Sequence, residues 1–453
     1  MRALPPGFWG RLLPIGRLCA KIAVPVREIL TGAKAGRMSR AESFFSYRKN
    51  ELYCEGVAVR SIAEAAGTPV YVYSGGHIAS RFAEFERALG AYPHMLCYAV
   101  KANSNLAVLR LLARRNSGFD IVSGGELYRV LQAGGKPSRI VFSGVGKTAA
   151  EIDYALRSGI QVFNCESESE LRLLSDRARR LRTTARVALR VNQQVDAKTH
   201  PYISTGLEEH KFGIEMALAE EMFERAGEWP GLRMAGLSCH IGSQLTELSP
   251  YGEAVGKLVE MSARLRRKKI VLEHLDVGGG LGIRYREGES VPSVADYVKK
   301  ILRSVRKTRL KLFLEPGRSI VGGAGILLTR VVHTKTTGRK KFVIVDAAMN
   351  DMIRPALYGA YHEIRPVVRS AREEVIVDLV GPVCESADFF AQKRRLPRVE
   401  PGDLLAIDTV GAYGFVLSSN YNSRPRPPEV LVEGRRWRIA RRRETLRDLI
   451  RGE

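Results

Sequence analysis

Eight short β-rich runs, separated by helical stretches, occupy the middle of this chain. The runs are MLCYAV (95–100), FDIV (119–122), IVFSG (140–144), QVFNC (161–165), RVALRV (186–191), MAGLSCH (234–240), LEHLDV (272–277) and LKLFLE (310–315). Most gaps between them show helical periodicity, as where Leu106, Leu109 and Leu112 share one face. Eight strands that alternate with helices over about 220 residues predict a (β/α)8 barrel.

The sequence changes character after Gly322. Runs such as KFVIVDA, EEVIVDLVG and DLLAIDTV are β-rich and are separated by Gly, Pro and Asp, with helices expected only near 352–361 and 384–392. We therefore predict a second, mainly antiparallel β domain. Residues 51–74 are also β-like, so we expect this domain to be discontinuous. The predicted boundaries are 75–320 for the barrel and 41–74 together with 321–453 for the β domain.

Composition excludes several classes of protein. No apolar run approaches the roughly 18 residues of a membrane span, so we expect no membrane insertion. The six cysteines are scattered without a CxxC pair, which indicates free thiols in a reducing compartment, the cytoplasm. The net charge of +24 could signal nucleic-acid binding. No zinc-finger or RNP pattern accompanies it, so we interpret it as a diffuse Arg-rich surface and expect no nucleic-acid partner.

The first 40 residues differ from the rest. Their apolar pieces are short and are interrupted by Pro and Gly, unlike a secretion signal. We predict a disordered N-terminal extension without a catalytic role, with Met38 as a candidate initiator. An Arg-rich transit peptide is the alternative.

Polar and glycine residues stand where the predicted strands end. Lys101 and Ser123 follow strands, His240 and Glu315 end strands, and the glycines at 278–280 follow LDV. In a (β/α)8 barrel the carboxyl ends of all strands meet at one mouth, where active sites lie. The sequence therefore predicts the reactive groups at this pole.

Lys101 and Glu315 carry the strongest chemical implications. A lysine directly after an apolar strand enters a confined mouth, where desolvation lowers its pKa and favours the neutral amine that Schiff-base chemistry needs. A lysine that extends to solvent is the alternative. Glu315 needs a cationic partner, either Arg318 or a protonated ring nitrogen, unless it forms only a structural ion pair.

Four further features are candidates for function. GGGLG (278–282) can present backbone N–H groups to a phosphate, although it can also be a tight turn without a ligand. His240 has no second histidine at metal spacing, so we expect no metal, and its ring can lie against a planar cofactor. Cys384, in a polar setting after Gly-Pro, is the candidate reactive thiol, or a passive surface thiol. Asp120 and Asp276 lie where they can orient neighbours.

Together these segments resemble the fold-type III pyridoxal 5'-phosphate (PLP) decarboxylases, the ornithine, diaminopimelate and arginine decarboxylase family, and among them the diaminopimelate decarboxylases. The resemblance covers residues 44–447, nearly the whole chain. Matching segments include YAVKAN, FDIVSGGEL, CHIGSQ, LDVGGGLGI, EPGRSIVG, RPALYGAYH and GPVCESADFF. It implies an alanine-racemase-like (β/α)8 barrel with a second β domain.

The resemblance also implies residue roles. Lys101 binds PLP as a Schiff base, His240 stacks on its ring, and Glu315 pairs with the ring nitrogen. The other implied cofactor contacts are Asp120, Ser243, Gly278, Gly279, Gly280, Gly317, Arg318 and Tyr413. The implied substrate contacts are Arg318, Arg354, Tyr358, Glu385 and Tyr413. Cys384 is the implied proton donor, and it and Glu385 are implied to come from the partner subunit of a homodimer.

The implied reaction is decarboxylation of meso-2,6-diaminoheptanedioate (meso-diaminopimelate) to L-lysine and CO2, the last step of lysine biosynthesis. Glutamate after the cysteine in GPVCES favours this substrate over ornithine or arginine, whose decarboxylases usually have aspartate there. Glu315 argues against an alanine racemase, which pairs the ring nitrogen with arginine. A related basic amino-acid decarboxylase and a non-catalytic homologue are the alternatives.

Overall fold

The computed structural model describes residues 44–195 and 211–453. The predicted disorder of residues 1–40 lies outside these ranges. Before the barrel, β1 (Phe45–Arg48), β2 (Glu51–Cys54) and β3 (Val57–Ala58) form a small antiparallel sheet. Helix α1 (Val59–Ala66) follows, and its buried Ile62 packs in one apolar cluster with Leu52 of β2. Strand β4 (Val70–Ser74) then joins a different sheet.

The barrel consists of eight parallel strands that close on themselves. They are β5 (His94–Ala99), β6 (Gly118–Ile121), β7 (Ile140–Phe142), β8 (Val162–Cys165), β9 (Ala185–Asn192), β11 (Leu232–Ser238), β12 (His274–Asp276) and β13 (Lys311–Leu314). Closure occurs because β13 pairs with β5 in parallel. The two-residue β10 (Ile214–Glu215), which sequence reasoning missed, pairs beside β9.

Helices surround the barrel. They are α2 (Gly75–Leu89), α3 (Leu106–Ala113), α4 (Gly124–Gln132), α5 (Ala149–Ser158), α6 (Glu168–Arg180), α7 (Met216–Glu224), α8 (Ser249–Arg267) and α9 (Val294–Val305). Most begin at a residue whose side-chain oxygen accepts a backbone N–H, which stabilises each start by about 1 kcal/mol. These capping residues are Ser74, Asn105, Ser123, Thr148, Ser167 and Ser293.

The strands bury both faces, because alternate side chains point to the helices and to the barrel axis. Leu96 and Tyr98 of β5 pack in the shell between strands and helices. Met95, Cys97 and Phe313 belong to a small separate cluster formed by barrel strands alone. This apolar plug fills the barrel interior below the carboxyl ends of the strands, so the polar groups above it share one confined layer.

A second, mixed but mainly antiparallel sheet follows the barrel. Its strands are β4 with β14 (Gly325–Thr337), β15 (Lys340–Val345), β16 (Ile364–Pro366), β17 (Glu374–Val380), β18 (Phe389–Pro397), β19 (Leu404–Ile407), β20 (Glu429–Glu433) and β21 (Arg436–Arg441). Three short helices complete the order: α10 (Arg318–Val321), α11 (Arg354–Tyr358) and α12 (Leu446–Leu449). Strand β4 lies between β14 and β20, so segments from before and after the barrel share this sheet.

The predicted fold class, a (β/α)8 barrel with a mainly antiparallel β domain, is confirmed. The helix predicted near 384–392 is wrong. Residues from Phe389 onward form β18, which pairs antiparallel with β17 from Glu374 to Val380 and buries Phe390 in the β-domain core. That pairing is non-local, so local helical pattern could not reveal it. Within residues 44–195 and 211–453, no helix combines the length and apolar character that crossing a bilayer requires.

Candidate active site

A layer of polar side chains occupies the barrel mouth above the apolar plug. Lys101 follows β5, Asp120 lies on β6, Asn164 on β8 and Asp276 on β12, while Glu315 follows β13. Their side chains are joined by hydrogen bonds rather than by apolar contacts. The structure thus brings the two strongest sequence candidates, Lys101 and Glu315, into one mouth.

Lys101 forms an ion pair in this layer. Its Nζ lies 2.8 Å from Oδ2 of Asp120, whose side chain is fully buried. Burial acts to lower the pKa of Lys101, but the carboxylates of Asp120 and Glu315 and the nearby Tyr413 raise it above the ordinary value. The predicted lowering of this pKa is therefore wrong. The reason is that the neighbouring strand supplies an anion that outweighs desolvation.

Glu315 lies in an unusually acidic environment. Its Oε1 accepts hydrogen bonds from Oγ of Ser143 at 3.4 Å and Nδ2 of Asn164 at 3.5 Å. The same Asn164 amide donates to Oδ2 of Asp276 at 3.1 Å. Burial, Asp120 and Asp276 raise the pKa of Glu315 well above its ordinary value. Three carboxyl groups beside one ammonium leave the layer short of positive charge, and the mouth favours a further cation.

Arg318 does not supply that cation. Its Nη2 donates to Oγ of Ser243 at 3.0 Å and its Nη1 to the hydroxyl of Tyr285 at 2.5 Å. Of the two partners considered for Glu315 from sequence, Arg318 is therefore wrong. Its guanidinium also lies 4.9 Å from the ring centroid of Tyr413, which contacts the Lys101 segment through a backbone hydrogen bond to Ala102.

The triple-glycine turn after β12 has no room for side chains. A Cβ on Gly279 would lie 2.2 Å from the backbone oxygen of Glu315. Gly280 has φ +99° and a Cβ there would lie 2.3 Å from the oxygen of Gly242. Gly317 is also confined, although less tightly, since a Cβ there would lie 2.9 Å from the Cβ of Ala102. The backbone of this turn therefore lies close to the Ser243 loop and the Glu315 segment.

His240 lies beside this turn. Its Nδ1 accepts a hydrogen bond from the backbone N–H of Gly279 at 3.3 Å. Burial and the nearby charges of Lys101 and Arg190 hold the pKa of His240 well below its ordinary value. The imidazole is consequently neutral, which suits contact with a flat ring better than proton transfer at neutral pH.

A cleft of about 230 Å3 opens next to Arg318. It is lined by Gln244, Tyr285, Glu289, Arg318, Arg354, Tyr358, Ala360 and Tyr361. Arg354 is buried, and its guanidinium lies 5.3 Å from the ring of Tyr285 and 5.9 Å from that of Tyr358. Two arginines and a tyrosine predicted for substrate binding thus line one cleft.

Sequence reasoning missed Tyr285, which lines this cleft, and the buried His362, which contacts Arg354. Tyr285 contacts both arginines, and His362 accepts a hydrogen bond from Nε of Arg354. Tyr285 stands only five residues after the triple glycine, and His362 ends the segment RPALYGAYH. Both residues lie in or next to segments that carry the family resemblance, and this position in the sequence could have indicated them.

Cys384 and Glu385 lie apart from this cluster. Cys384 is exposed, and its backbone N–H donates to Oδ1 of Asn422 at 3.0 Å. Glu385 accepts a 3.5 Å hydrogen bond from the hydroxyl of Tyr421. In the described part of the chain, no hydrogen bond or ion pair joins either residue to the Lys101 layer or to the two arginines. The described cysteines other than Cys384 are all buried, namely Cys54, Cys97, Cys165 and Cys239.

Comparison with known proteins connects this geometry to a family. Residues 75–322 match the pyridoxal-dependent decarboxylases through their pyridoxal binding domain. The diaminopimelate decarboxylase of Pseudomonas aeruginosa is 53% identical over 409 residues, which are 90% of this chain and 98% of the relative. That of Vibrio cholerae is 50% identical over 408 residues, 90% of this chain and 97% of the relative.

Solved structures show the same likeness. Diaminopimelate decarboxylase from Helicobacter pylori, complexed with L-lysine, has a TM-score of 0.84 at 46% identity, covering 87% of this chain and 98% of the other. The enzyme from M. jannaschii, also in complex with L-lysine, has a TM-score of 0.86 at 40% identity, covering 90% and 96%.

Proposed function

This chain belongs to the diaminopimelate decarboxylases of the pyridoxal-dependent decarboxylase family, and from this premise we propose which of its residues hold the cofactor and the substrate. It is an enzyme that decarboxylates meso-diaminopimelate to L-lysine and CO2. The observation that carries the site assignment is the contact of the Lys101 amine with a buried carboxylate, in the same layer as Glu315.

The mouth of the barrel fits PLP on three grounds. Oδ1 of Asp120 and Oδ1 of Asn164 are buried and have no hydrogen-bond partner among the described residues, so acceptors are available. The excess of carboxyl groups suits a protonated ring nitrogen. The side-chain-free turn containing Gly279, together with the Ser243 loop, offers backbone N–H groups and a hydroxyl of the kind that bind phosphate.

We assign the cofactor contacts accordingly. Lys101 supplies the amine for the covalent link, and Oδ2 of Asp120 is in place to accept the proton that this amine must lose. Glu315 holds the ring nitrogen in its charged form, and His240 covers one face of the ring. The phosphate contacts fall to Ser243, Gly278, Gly279, Gly280, the backbone of Gly317 and Arg318, and Tyr413.

When bound, PLP supplies an electron sink for the pair left by the departing carboxylate. The protein orients the reacting carbon and excludes water from it. The carboxyl groups of Asp120, Asp276 and Glu315 are buried above the apolar plug, and this burial strengthens the interaction of Glu315 with a cation. Because Asp276 shares the Asn164 amide with Glu315, it fixes the orientation of the Glu315 carboxylate.

The cleft beside Arg318 is our site for the far end of the substrate. Meso-diaminopimelate carries a second carboxylate there, and Arg318 and Arg354 are suited to bind it through paired N–H donors. Tyr358 and Tyr413 contribute the ring surfaces beside these arginines. Ornithine lacks this carboxylate, so it would leave two buried cations without an anion.

The proton donor comes from a second subunit in our proposal. Cys384 is exposed and lies apart from Lys101 in its own chain, which suits a thiol that completes the mouth of a neighbouring copy. Glu385 would then face the distal ammonium of the substrate. We also infer a cytoplasmic enzyme, since the described cysteines are free thiols.

Two experiments test this proposal. CO2 release should be rapid with the meso isomer and slow with ornithine and arginine; comparable rates would refute the assigned distal site. Mixing inactive Lys101→Ala and Cys384→Ala subunits should restore about a quarter of wild-type activity, because each mixed dimer keeps one intact site. Mixtures that stay inactive although mixed dimers form would refute the shared site.

A further inference from the structure

Arg318 and Arg354 share one neutral hydrogen-bond acceptor. The hydroxyl oxygen of Tyr285 receives Nη1 of Arg318 at 2.5 Å and Nη2 of Arg354 at 3.3 Å. Both guanidinium groups also lie against the ring of the same tyrosine, at 5.9 and 5.3 Å from its centroid. One side chain therefore sets the relative position of two like charges.

His362 holds Arg354 from the other side. Nε of Arg354 donates to Nε2 of His362 at 3.3 Å, and Nδ1 of His362 lies 2.8 Å from the backbone oxygen of Asp408. A carbonyl oxygen only accepts, so Nδ1 carries the hydrogen and Nε2 is the acceptor. Burial, with Arg354 beside the ring, lowers the pKa of His362 to about 3, so it remains a neutral acceptor.

The loop that carries Tyr285 is itself held in place. The backbone N–H of Tyr285 donates to Oε2 of Glu289 at 2.9 Å. Gln244 bonds both the N–H and the oxygen of Ile283, at 3.1 and 2.6 Å. Glu289 lines the cleft, yet its carboxylate is engaged by this loop backbone rather than by the arginines.

Among the described residues, Arg318 and Arg354 form no ion pair with a carboxylate, although both are buried. Buried charges in proteins are normally paired. Within the described part of the chain, the two guanidinium groups donate hydrogen bonds to neutral partners, namely Ser243, Tyr285 and His362. Hydrogen bonds to neutral acceptors orient the two guanidinium groups but do not neutralise them. Both arginines therefore keep their electrostatic attraction for an anion that enters the cleft.

We infer that Tyr285 and His362 are positioning residues that aim Arg318 and Arg354 at the distal carboxylate of the substrate. The inference rests on the proposed function and deepens it. An acidic residue in place of Tyr285 would occupy the arginines and compete with the substrate. The phenol instead lets the site distinguish the dicarboxylate substrate from the product L-lysine, which has no distal carboxylate.

The test is Tyr285→Phe, which keeps the ring and removes the shared acceptor. We expect the KM for meso-diaminopimelate to rise about tenfold, because an oriented hydrogen bond to a charged group is lost, with kcat changed less than about threefold. Inhibition by L-lysine should be unchanged. The matched control is Tyr92→Phe, which removes a hydroxyl that donates to the backbone oxygen of Leu310, 2.7 Å away and outside the cleft, and should leave the KM at the wild-type value.

A KM for Tyr285→Phe equal to that of Tyr92→Phe would overturn the inference. So would an equal loss of L-lysine affinity, which would show general damage to the cleft. His362→Gln keeps an acceptor and should retain a lower KM than His362→Leu; equal KM values in the two folded variants would remove His362 from the assignment. A wild-type enzyme without activity on the meso isomer would refute the proposed function, and this inference with it.

Discussion

Replacing Gly279 by alanine should damage the active site with a single methyl group. A Cβ at this position would lie 2.2 Å from the backbone oxygen of Glu315 and 2.9 Å from its carbonyl carbon. Both are backbone atoms, so no flexible side chain can move aside. Relief requires the Glu315 segment or the glycine turn to shift by roughly 1 Å, and overpacking of this kind typically costs about 1–3 kcal/mol.

Gly279→Ala should reduce the catalytic rate more than it reduces the free energy of unfolding. A displacement of about 1 Å at a positioned catalytic group can lower the rate about a hundredfold. Glu315 and the turn that we assign to the phosphate would both be displaced, so we expect kcat/KM to fall by about that factor and PLP affinity to weaken. CO2 release, cofactor absorbance and urea unfolding measure the three effects separately.

Gly146→Ala is the matched control. Gly146 lies in the loop after β7, at the same pole, and a Cβ there meets nothing within 4 Å. It should retain wild-type activity and stability. If Gly279→Ala proved as active as Gly146→Ala, the close approach of the turn to Glu315 would have no functional consequence, and our assignment of this turn would fail.

Two further predictions concern the thiol and the pH dependence of stability. Cys384→Ala should bind PLP normally but release L-lysine at least a hundred times more slowly, roughly the contribution of a general acid; a wild-type rate would remove Cys384 as proton donor. Burial raises the pKa of Glu126 from 4.5 to about 7 despite its hydrogen bond from the Val122 N–H. The folded state therefore holds this proton more tightly than the unfolded state, and stability is lost as pH rises from about 4.5 to about 7. Urea unfolding between pH 5 and 8 should show a weaker pH dependence for Glu126→Gln than for wild type; identical slopes would contradict the raised pKa.

The barrel could be predicted from the sequence because its strands and helices are each indicated by the pattern of apolar residues within a short segment. Each strand is a short apolar run, and each helix repeats apolar residues on one face, as with the buried Leu109 and Leu112. The position of Lys101 and Glu315 at one mouth follows from the barrel rule alone, since all parallel strands present their carboxyl ends there.

What sequence reasoning missed depends on non-local contacts. The pKa of Lys101 depends on Asp120 and Glu315, which come from two other strand positions, so desolvation alone gave the wrong direction. The helix predicted near 384–392 is wrong because the strand from Phe389 onward takes its hydrogen bonds from its partner β17. Tyr285 lies in an irregular loop, where no periodicity indicates which way a side chain points.

Borohydride reduction followed by peptide mass mapping tests the central claim most directly. The account predicts a pyridoxyl group on the peptide that contains Lys101, and none anywhere in Lys101→Ala. Lys147 is the informative competitor, because it is buried near the same mouth but is held by Glu170 at 2.6 Å. A label on Lys147 or on any other lysine, with Lys101 unmodified, would contradict the account.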